Sequence, residues 1–222
     1  MRGLAEHTLI GMDRDWQLEP DVLRDRLTRI IDQVERMVHI IEHIRMFARE
    51  AGAPKVEPVL INNVVAGACD LLDAQLRAQG VTLKLSLGDE LPTVTTNMFS
   101  LEEVLLNLLT NAHDAVGSRT DEASRIEVVT RRDGVDRVPL EVVDNGGGIP
   151  ESIEQQIFDP FFTTKDPDQD TGLGLAISKS IVEQVHGDLS IASSNGDGTR
   201  FVISLPVSLA EDTPLASSGK TG

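Results

Sequence analysis

A short stretch, VVDNGGGIP at residues 142–150, places one acid and three consecutive glycines directly after an apolar run. A strand that ends in this way can present the Asp144 carboxylate into a pocket, while the backbone of Gly146 and Gly148 comes close to a flat ligand. Adenine would fit such a pocket, because its exocyclic amine donates to a carboxylate whereas guanine presents a carbonyl oxygen there. The stretch alone predicts an adenine site or, equally well, a glycine-rich turn capped by Asp144.

Two further segments carry groups that could hold phosphates and a cation. Asn107 and Asn111 lie four residues apart, so a helix would place both amides on one face, opposite a stripe of leucines. Asn111 could then give its side-chain oxygen to Mg²⁺, a hard cation that bridges phosphates. In TGLGLAIS, Gly172 and Gly174 stand at the start of a predicted helix, where free N–H groups and the helix dipole bind anions.

Between these segments lies FDPFFTTKDPDQD, residues 158–170. Its three phenylalanines are expected to anchor one end of a polar loop. A loop with few apolar contacts would be mobile, as the lids over bound nucleotides are.

The composition limits the classes of partner. The chain has 222 residues, a formal net charge of -16, 3% aromatic residues and no tyrosine. This charge would repel a polyphosphate backbone, so no nucleic acid partner is expected. The single cysteine, Cys69, lies in an apolar periodic segment and is expected to be a buried thiol in a reducing compartment. No segment approaches the roughly 20 apolar residues that span a bilayer, so the chain is predicted to be cytoplasmic without membrane contact of its own.

The N-terminal quarter carries one long periodic pattern. From Leu23 to Ala48 the apolar residues alternate steps of four and three, a heptad seam typical of long helix packing. Residues 1–52 are therefore predicted to be part of a dimerisation helical hairpin, comprising the end of its first helix and its second helix. An ordinary amphipathic helix packed on its own domain is the alternative. Two prolines predict a linker at residues 53–59, and the polar residues 208–222 predict a disordered tail.

Residues 60–207 mix helical and strand patterns. Helices are predicted at about Ile61–Gln79, Ser100–Val116 and Gly174–Val185, and the second is predicted to begin with a capping box of Ser100 and Glu103. Alternation of apolar and polar residues predicts strands at VTLKLSL, RIEVVTRR, PLEVVD, DLSIASS and TRFVISLP. The elements predict an α+β fold, a two-layer α/β sandwich in which a mixed sheet carries helices on one face, preceded by the helical hairpin segment.

Five motifs together resemble a known family. NLLTNAHDAV, DNGGGIP, FDPFFTTK, TGLGLAIS and GTRF occur in the order and spacing of the asparagine, glycine and phenylalanine boxes of two-component sensor histidine kinases. Residues 56–207 are similar to the catalytic and ATP-binding domain of these kinases. The resemblance implies the ATP-binding sandwich shared with type II topoisomerases, MutL and the heat-shock chaperones. It also implies ATP and Mg²⁺ as cofactors.

The resemblance assigns roles to individual positions. Asp144 would bind the adenine amine, Asn111 the magnesium ion, and Lys165 would reach toward phosphate. Thr199, in GTRF, would support Asp144 through water, with a plain hairpin residue as the alternative. The implied catalytic residues are Asn107, Asn111 and Lys165. The implied nucleotide-binding residues are Asp144, Gly146, Gly148, Ile149, Phe162, Thr164, Gly172, Leu173, Gly174, Leu175 and Thr199.

Two positions separate this chain from relatives of the same superfamily. In the ATP-hydrolysing members a glutamate lies one turn before the metal-binding asparagine and acts as the general base, and here that position is Asn107. An amide cannot accept the proton, so transfer to an external acceptor is favoured over hydrolysis. Asp114 stands where many histidine kinases carry a basic residue. An acid at this position occurs in kinases that resemble the nitrogen-regulatory sensors, so the chain is similar to that subgroup.

A histidine kinase also needs a phosphoacceptor histidine on the first helix of its hairpin. The N-terminal helices carry no such motif, and His7, His39 and His43 are interpreted as solvated or packing residues. The chain is therefore expected to be a fragment that binds ATP without phosphorylating itself, whether or not the full-length protein is membrane-anchored. The expected partners are the acceptor helix, a response-regulator receiver domain and a second copy in a homodimer. A nucleotide-controlled binding module and a hydrolytic ATPase are the alternatives.

Overall fold

The computed structural model describes residues 21–28, 55–117, 123–165 and 170–208. The chain divides into two compact units, Met1–Ala53 and Pro54–Gly222. In the first unit residues 21–28 are helical, at the start of the predicted heptad seam. The rest of that seam lies outside the described residues, as do the three N-terminal histidines, so the hairpin stays a prediction.

The second unit alternates strands and helices. Its strands are β1 (Glu57–Val59), β2 (Thr82–Leu87), β3 (Val94–Thr96), β4 (Arg125–Thr130), β5 (Arg137–Asp144), β6 (Asp188–Asn195) and β7 (Gly198–Pro206). Its α-helices are α1 (Ile61–Ala78), α2 (Met98–Gly117) and α3 (Gly174–Gln184), and a 3₁₀ turn covers Gln156–Phe158.

Five strands form one sheet in the order β2-β4-β5-β7-β6, and β1 pairs with β3 separately. β2 and β4 are parallel, whereas the other neighbours in the large sheet are antiparallel, so the sheet is mixed as predicted. The register places Asp144, the last residue of the central strand β5, opposite Ile126 of β4 and Thr199 of β7. The end of β5 is thus flanked by backbone on both sides.

The helices cover one face of this sheet. Alternate strand residues point toward them and are buried, among them Val128, Leu140 and Ile203. The apolar stripe of α2 packs on this layer through Leu101, Val104, Leu105, Leu108 and Leu109, all buried. The opposite face of the sheet carries ion pairs, such as Lys84 with Glu127. The predicted α+β fold with helices on one face is confirmed.

Cys69 lies on the buried side of α1, as predicted. Burial, and to a lesser degree the neighbouring carboxylates of Asp70 and Asp73, raises the pKa of its thiol to about 11. The thiol is therefore protonated at neutral pH and unreactive, since the thiolate is the nucleophile.

The predicted capping box at Ser100 is wrong. α2 begins at Met98, and Asn97 provides the cap, because its Oδ1 accepts the backbone N–H of Ser100 at 3.0 Å. Asn97 also donates its side-chain N–H to the Lys55 carbonyl at 3.1 Å. Asn97, which directly follows β3, is therefore fixed by the Lys55 carbonyl, and it stands at the helix start in place of Ser100.

Two segments are more ordered than the sequence indicated. Residues 57–59, placed in the predicted linker, form β1. Ser208, placed in the predicted tail, donates its N–H to the Thr93 carbonyl at 2.8 Å and shares a hydroxyl contact with Thr95. Within the described residues, no helix combines the length and apolar character needed to cross a membrane.

Candidate functional site

Asp144 is a buried acid, and only one of its two carboxylate oxygens accepts hydrogen bonds from the described residues. It is 6% exposed, and its Oδ1 accepts the backbone N–H groups of Gly146 at 2.8 Å and Thr199 at 3.3 Å. Oδ2 has no hydrogen-bond partner within the described residues, although a buried acceptor without a donor costs free energy. Burial raises the pKa of Asp144, while the two amide hydrogen bonds oppose that rise. This oxygen can accept a donor from a ligand.

The glycines around Asp144 have separate structural reasons. A Cβ on Gly146 would lie 2.8 Å from both the Ala115 Cβ and the Asp144 Oδ1, so this backbone packs directly on α2. Gly148 has φ of 75°, a conformation that other residues rarely adopt. Gly198, opposite the turn, has φ of 134°, and a Cβ there would collide with the Asp144 carbonyl. A Cβ on Gly147 would meet no atom within 4 Å, and its φ lies outside the positive range. The run of glycines thus lets the chain turn closely against α2.

Ile149 is tied to the edge strand by a residue that the sequence reasoning missed. Its N–H donates to the Ser194 hydroxyl at 2.5 Å, and that hydroxyl lies 3.2 Å from the Ile149 carbonyl. Ser194 itself pairs with Thr199 in the β6–β7 ladder. A serine within DLSIASS gives no sequence signal for this role, because its partner lies 45 residues away.

Asn111 and Lys165, which the resemblance assigns to magnesium and phosphate, lie within hydrogen-bond distance of each other. The Lys165 ammonium donates to the Asn111 Oδ1 at 3.3 Å and to the Asp114 Oδ2 at 2.5 Å. Asn111 and Asp114 lie one turn apart on α2, so both oxygens face the same side of the helix. The site therefore places a cation and an amide oxygen side by side.

The loop that leads to Lys165 is held by Asp170, a second residue missed from the sequence. Its Oδ2 accepts the Thr163 hydroxyl at 2.9 Å, and its Oδ1 accepts the Gly172 N–H at 3.1 Å. The Lys165 N–H donates to the same Thr163 oxygen at 3.1 Å. Asp170 thus connects the segment before Lys165 to the segment before α3. Residues 166–169, within the predicted lid, are outside the described residues.

The three phenylalanines of FDPFF do not share one role. Phe158 packs edge-on against Phe201 of β7, with ring centroids 6.5 Å apart, and anchors the loop to the core. Phe161 is 75% exposed and has φ of 68°, so the expected anchoring by all three rings is wrong. Its N–H donates to the Gly172 carbonyl at 2.9 Å, and a Cβ on Gly172 would lie 2.6 Å from the Phe162 carbonyl oxygen. Gly172 is needed because the two backbones touch.

Asn107 faces the start of α3. Its side-chain N–H donates to the Ser178 hydroxyl at 2.9 Å, and a Cβ on Gly174 would collide with its Oδ1. Ser178, also missed from the sequence, is 2% exposed, so this hydrogen bond is buried on one side. Asn107 thus joins α2 to α3.

The remaining predicted positions surround the beginning of α3. α3 begins at Gly174 as expected. Its first N–H groups have no intrahelical partners, and among the described residues no side chain caps them. Leu173 is buried, Thr164 is exposed, and Phe162 and Leu175 are partly exposed. Their contact with a nucleotide stays a prediction.

The residues fit a nucleotide with magnesium. Within the described residues, no three His, Cys, Asp or Glu side chains form a group that could hold a metal ion. A metal bound by Asn111 would take its other ligands from phosphate and water oxygens, which is the usual coordination of Mg²⁺. At the other end, the Asp144 Oδ2, which no described residue contacts by a hydrogen bond, suits an amine donor.

The part of the sequence that forms this site matches the model of a known protein family. Residues 97–209 match the family model described as "Histidine kinase-, DNA gyrase B-, and HSP90-like ATPase". The match begins at the cap of α2 and includes every residue predicted for the site.

Two curated relatives from Pseudomonas aeruginosa are sensor proteins. The two-component sensor PprA of strain PAO1 is 36% identical over 194 residues, which cover 86% of this chain and 21% of PprA. The alginate biosynthesis sensor protein KinB is 34% identical over 194 residues, 82% of this chain and 30% of KinB. The chain thus spans less than a third of the length of either relative.

Solved histidine kinases share the fold. The catalytic domain of ThkA is 28% identical with a TM-score of 0.61, covering 69% of this chain and 96% of that domain. Full-length ShkA in complex with AMPPNP is 22% identical with a TM-score of 0.70, over 87% of this chain and 41% of ShkA. ThkA in complex with response regulator protein TrrA is 23% identical with a TM-score of 0.72, over 91% of this chain and 56% of ThkA.

Proposed function

Since the chain belongs to the family of histidine kinase-, DNA gyrase B- and HSP90-like ATPases, we propose that it forms the ATP-binding catalytic portion of a sensor histidine kinase. Membership confirms the family that the five motifs indicated. The observation that carries the proposal is the Oδ2 of Asp144, a buried acceptor at the end of the central strand that has no partner among the described residues.

At the base end, Asp144 would select adenine. Its Oδ1 is held by two backbone N–H groups, so the carboxylate is already oriented, and Oδ2 accepts no hydrogen bond from the described residues. The adenine amine supplies that donor, whereas the guanine carbonyl would place two acceptors together. Thr199, Gly146 and Gly148 would support the base plane, and a water between Thr199 and Asp144 is part of this proposal.

At the phosphate end, the residues around Asn111 would receive the charged groups. Bound Mg²⁺ would spread the charge of the ATP phosphates during transfer of the γ-phosphoryl group. Asn111 would hold that ion by its Oδ1, and Lys165 would donate to a phosphate oxygen. The first turn of α3, from Gly174, would add backbone N–H groups for an anion.

Asn107 supports transfer rather than hydrolysis. An amide cannot take a proton from water, and this amide already donates to Ser178. The γ-phosphoryl group would therefore pass to an imidazole nitrogen while ADP departs. We propose that this histidine lies on the acceptor helix of a kinase hairpin and that the chain does not phosphorylate itself.

The proposed partners follow from the relatives. ThkA has been solved with the response regulator protein TrrA. We propose that a receiver domain likewise takes the phosphoryl group from the acceptor histidine on to an aspartate. A homodimer through the N-terminal helices belongs to the same proposal.

Incubation of the purified chain with γ-labelled Mg-ATP tests this function. We expect adenine nucleotides to bind in preference to guanine nucleotides, with no label retained on the protein and slow release of phosphate. Label that resists alkali and is lost in acid would identify a phosphohistidine within the chain, at His7, His39 or His43. Rapid phosphate release would instead identify a hydrolytic ATPase.

A further inference from the structure

The ammonium of Lys165 lies where a divalent cation would be expected. It donates to the Asp114 Oδ2 at 2.5 Å and to the Asn111 Oδ1 at 3.3 Å. The other oxygen of Asp114, Oδ1, lies 3.3 Å from the His113 Nδ1, and the His113 Nε2 contacts the Gln79 side chain. The Asp114 carboxylate is thus oriented from both sides, with Oδ2 directed at Lys165.

A metal ion and this ammonium cannot share the Asn111 oxygen. Mg²⁺ binds oxygen at about 2.0–2.1 Å and requires nearly octahedral ligands. An ammonium within hydrogen-bond distance of the same oxygen would occupy the coordination space and repel the ion. Lys165 must therefore leave Asn111 before a metal can bind there.

We propose that Asp114 is a positioning residue that holds Lys165 in the place of the divalent cation. Mg-nucleotide then binds only when the Lys165 ammonium leaves Asp114 and donates to a phosphate instead. This inference rests on the proposed function, because it assigns Asn111 to the metal. Asp114 then competes with the phosphates for one ammonium. Its presence lowers the affinity for Mg-nucleotide and leaves the affinity for the base unchanged.

The exposure of the pair sets the size of the effect. The side chains of Lys165 and Asp114 are 33% and 41% exposed, so water and salt screen their attraction. Asp73 and Arg77 on α1 form a comparable exposed pair, with N–O distance 2.8 Å, but neither residue is predicted for the site. Replacement of Asp73 removes the same charge elsewhere and provides a matched control.

Isothermal titration of the 222-residue chain with Mg·AMP-PNP, and separately with adenosine, tests the exchange in a double-mutant cycle. We expect Asp114→Asn to bind Mg·AMP-PNP about two- to fivefold more tightly than wild type, the range typical of an exposed ion pair. In the Lys165→Met background the same substitution should change the affinity less than about 1.5-fold, because no ammonium remains to be released. Adenosine affinity should be equal in all variants, and Asp73→Asn should match wild type.

Three results would overturn the exchange. Equal tightening by Asp114→Asn with and without Lys165 would mean that the carboxylate acts only by its charge. Weaker binding in Asp114→Asn would make Asp114 a ligand of the metal. Equal tightening in Asp73→Asn would reveal a general effect of net charge. Failure of wild type to bind either adenosine or AMP-PNP would instead overturn the proposed function.

Discussion

The two ends of the candidate site use different kinds of hydrogen-bonding group, backbone N–H groups at one end and long side chains at the other. At the base end, Asp144 is buried between two strands and is oriented by backbone N–H groups. At the phosphate end, long side chains from a helix and a loop meet at the surface, where Lys165 and Asp114 are 33% and 41% exposed. Backbone donors in a sheet cannot rotate away, whereas side chains can exchange partners.

Under the proposed function, this contrast would give each end a separate task. A fixed acceptor discriminates between bases, because a wrong donor pattern leaves a buried group unpaired. An exchangeable ammonium suits phosphates, whose position changes as the γ-phosphoryl group departs. Four substitutions or conditions test the contrast.

The largest effect is expected from Asp144→Ala at the base end. A hydrogen bond to a charged group contributes about 1.5–3 kcal/mol, so AMP-PNP should bind roughly 10- to 100-fold more weakly, with loss of preference over the guanine analogue. Titration calorimetry measures both affinities, and circular dichroism confirms folding. Glu127→Gln, on the outer face of the sheet, should leave binding unchanged. Retained adenine preference in Asp144→Ala would refute the assignment of the base end.

Asn111→Ala should affect only the phosphate end. We expect the variant to lose about tenfold in AMP-PNP affinity in the presence of Mg²⁺. Removal of Mg²⁺ with EDTA should not weaken its binding of AMP-PNP further, and its binding of adenosine should be unchanged. The neighbouring Thr110→Ala is a matched control, because Thr110 is exposed and its hydroxyl donates within the helix, to the Leu106 carbonyl. A parallel loss of adenosine affinity would mean that the two ends are not separable.

Gly198→Ala should disturb the backbone of the base end without removing any functional group. A Cβ there collides with the Asp144 carbonyl, and φ of 134° is strained for alanine, so a loss of about 1–3 kcal/mol in free energy of unfolding is expected. Gly147→Ala provides the comparison, since its Cβ meets nothing within 4 Å. Urea denaturation of both variants measures the difference. Equal stabilities would show that the base end is not rigid.

The smallest effect concerns the pH dependence of stability. The pKa of Asp144 in the folded protein lies above its ordinary value of 3.8, because of burial. Its proton therefore stabilises the fold fully below about pH 3.8, and this stabilisation is lost as pH rises through the native-state pKa. Relative to wild type, Asp144→Asn should gain in free energy of unfolding over that interval, as measured by urea denaturation. A constant difference would contradict the buried-acid description.

Much of this molecule could be predicted from local patterns. The period of apolar residues located α1, α2 and α3 and the five strands of the large sheet, because a buried helix face and a strand face each repeat within a few residues. The turn at Gly148 and the start of α3 at Gly174 were also predictable, because a glycine affects the backbone conformation at its own position.

What only the tertiary structure decided is the choice between competing partners. Asn97 and Ser100 are both suitable caps, and the hydrogen bond to the distant Lys55 carbonyl fixes Asn97 in that role. The bonds of Asn107 to Ser178 and of Lys165 to Asp114 join residues 71 and 51 positions apart. The sequence by itself determined which groups could do chemistry, since residue type and short spacing limit their possible roles. The docking of helices and loops decided which of those groups meet, because a hydrogen bond forms only when distant segments pack at the right distance.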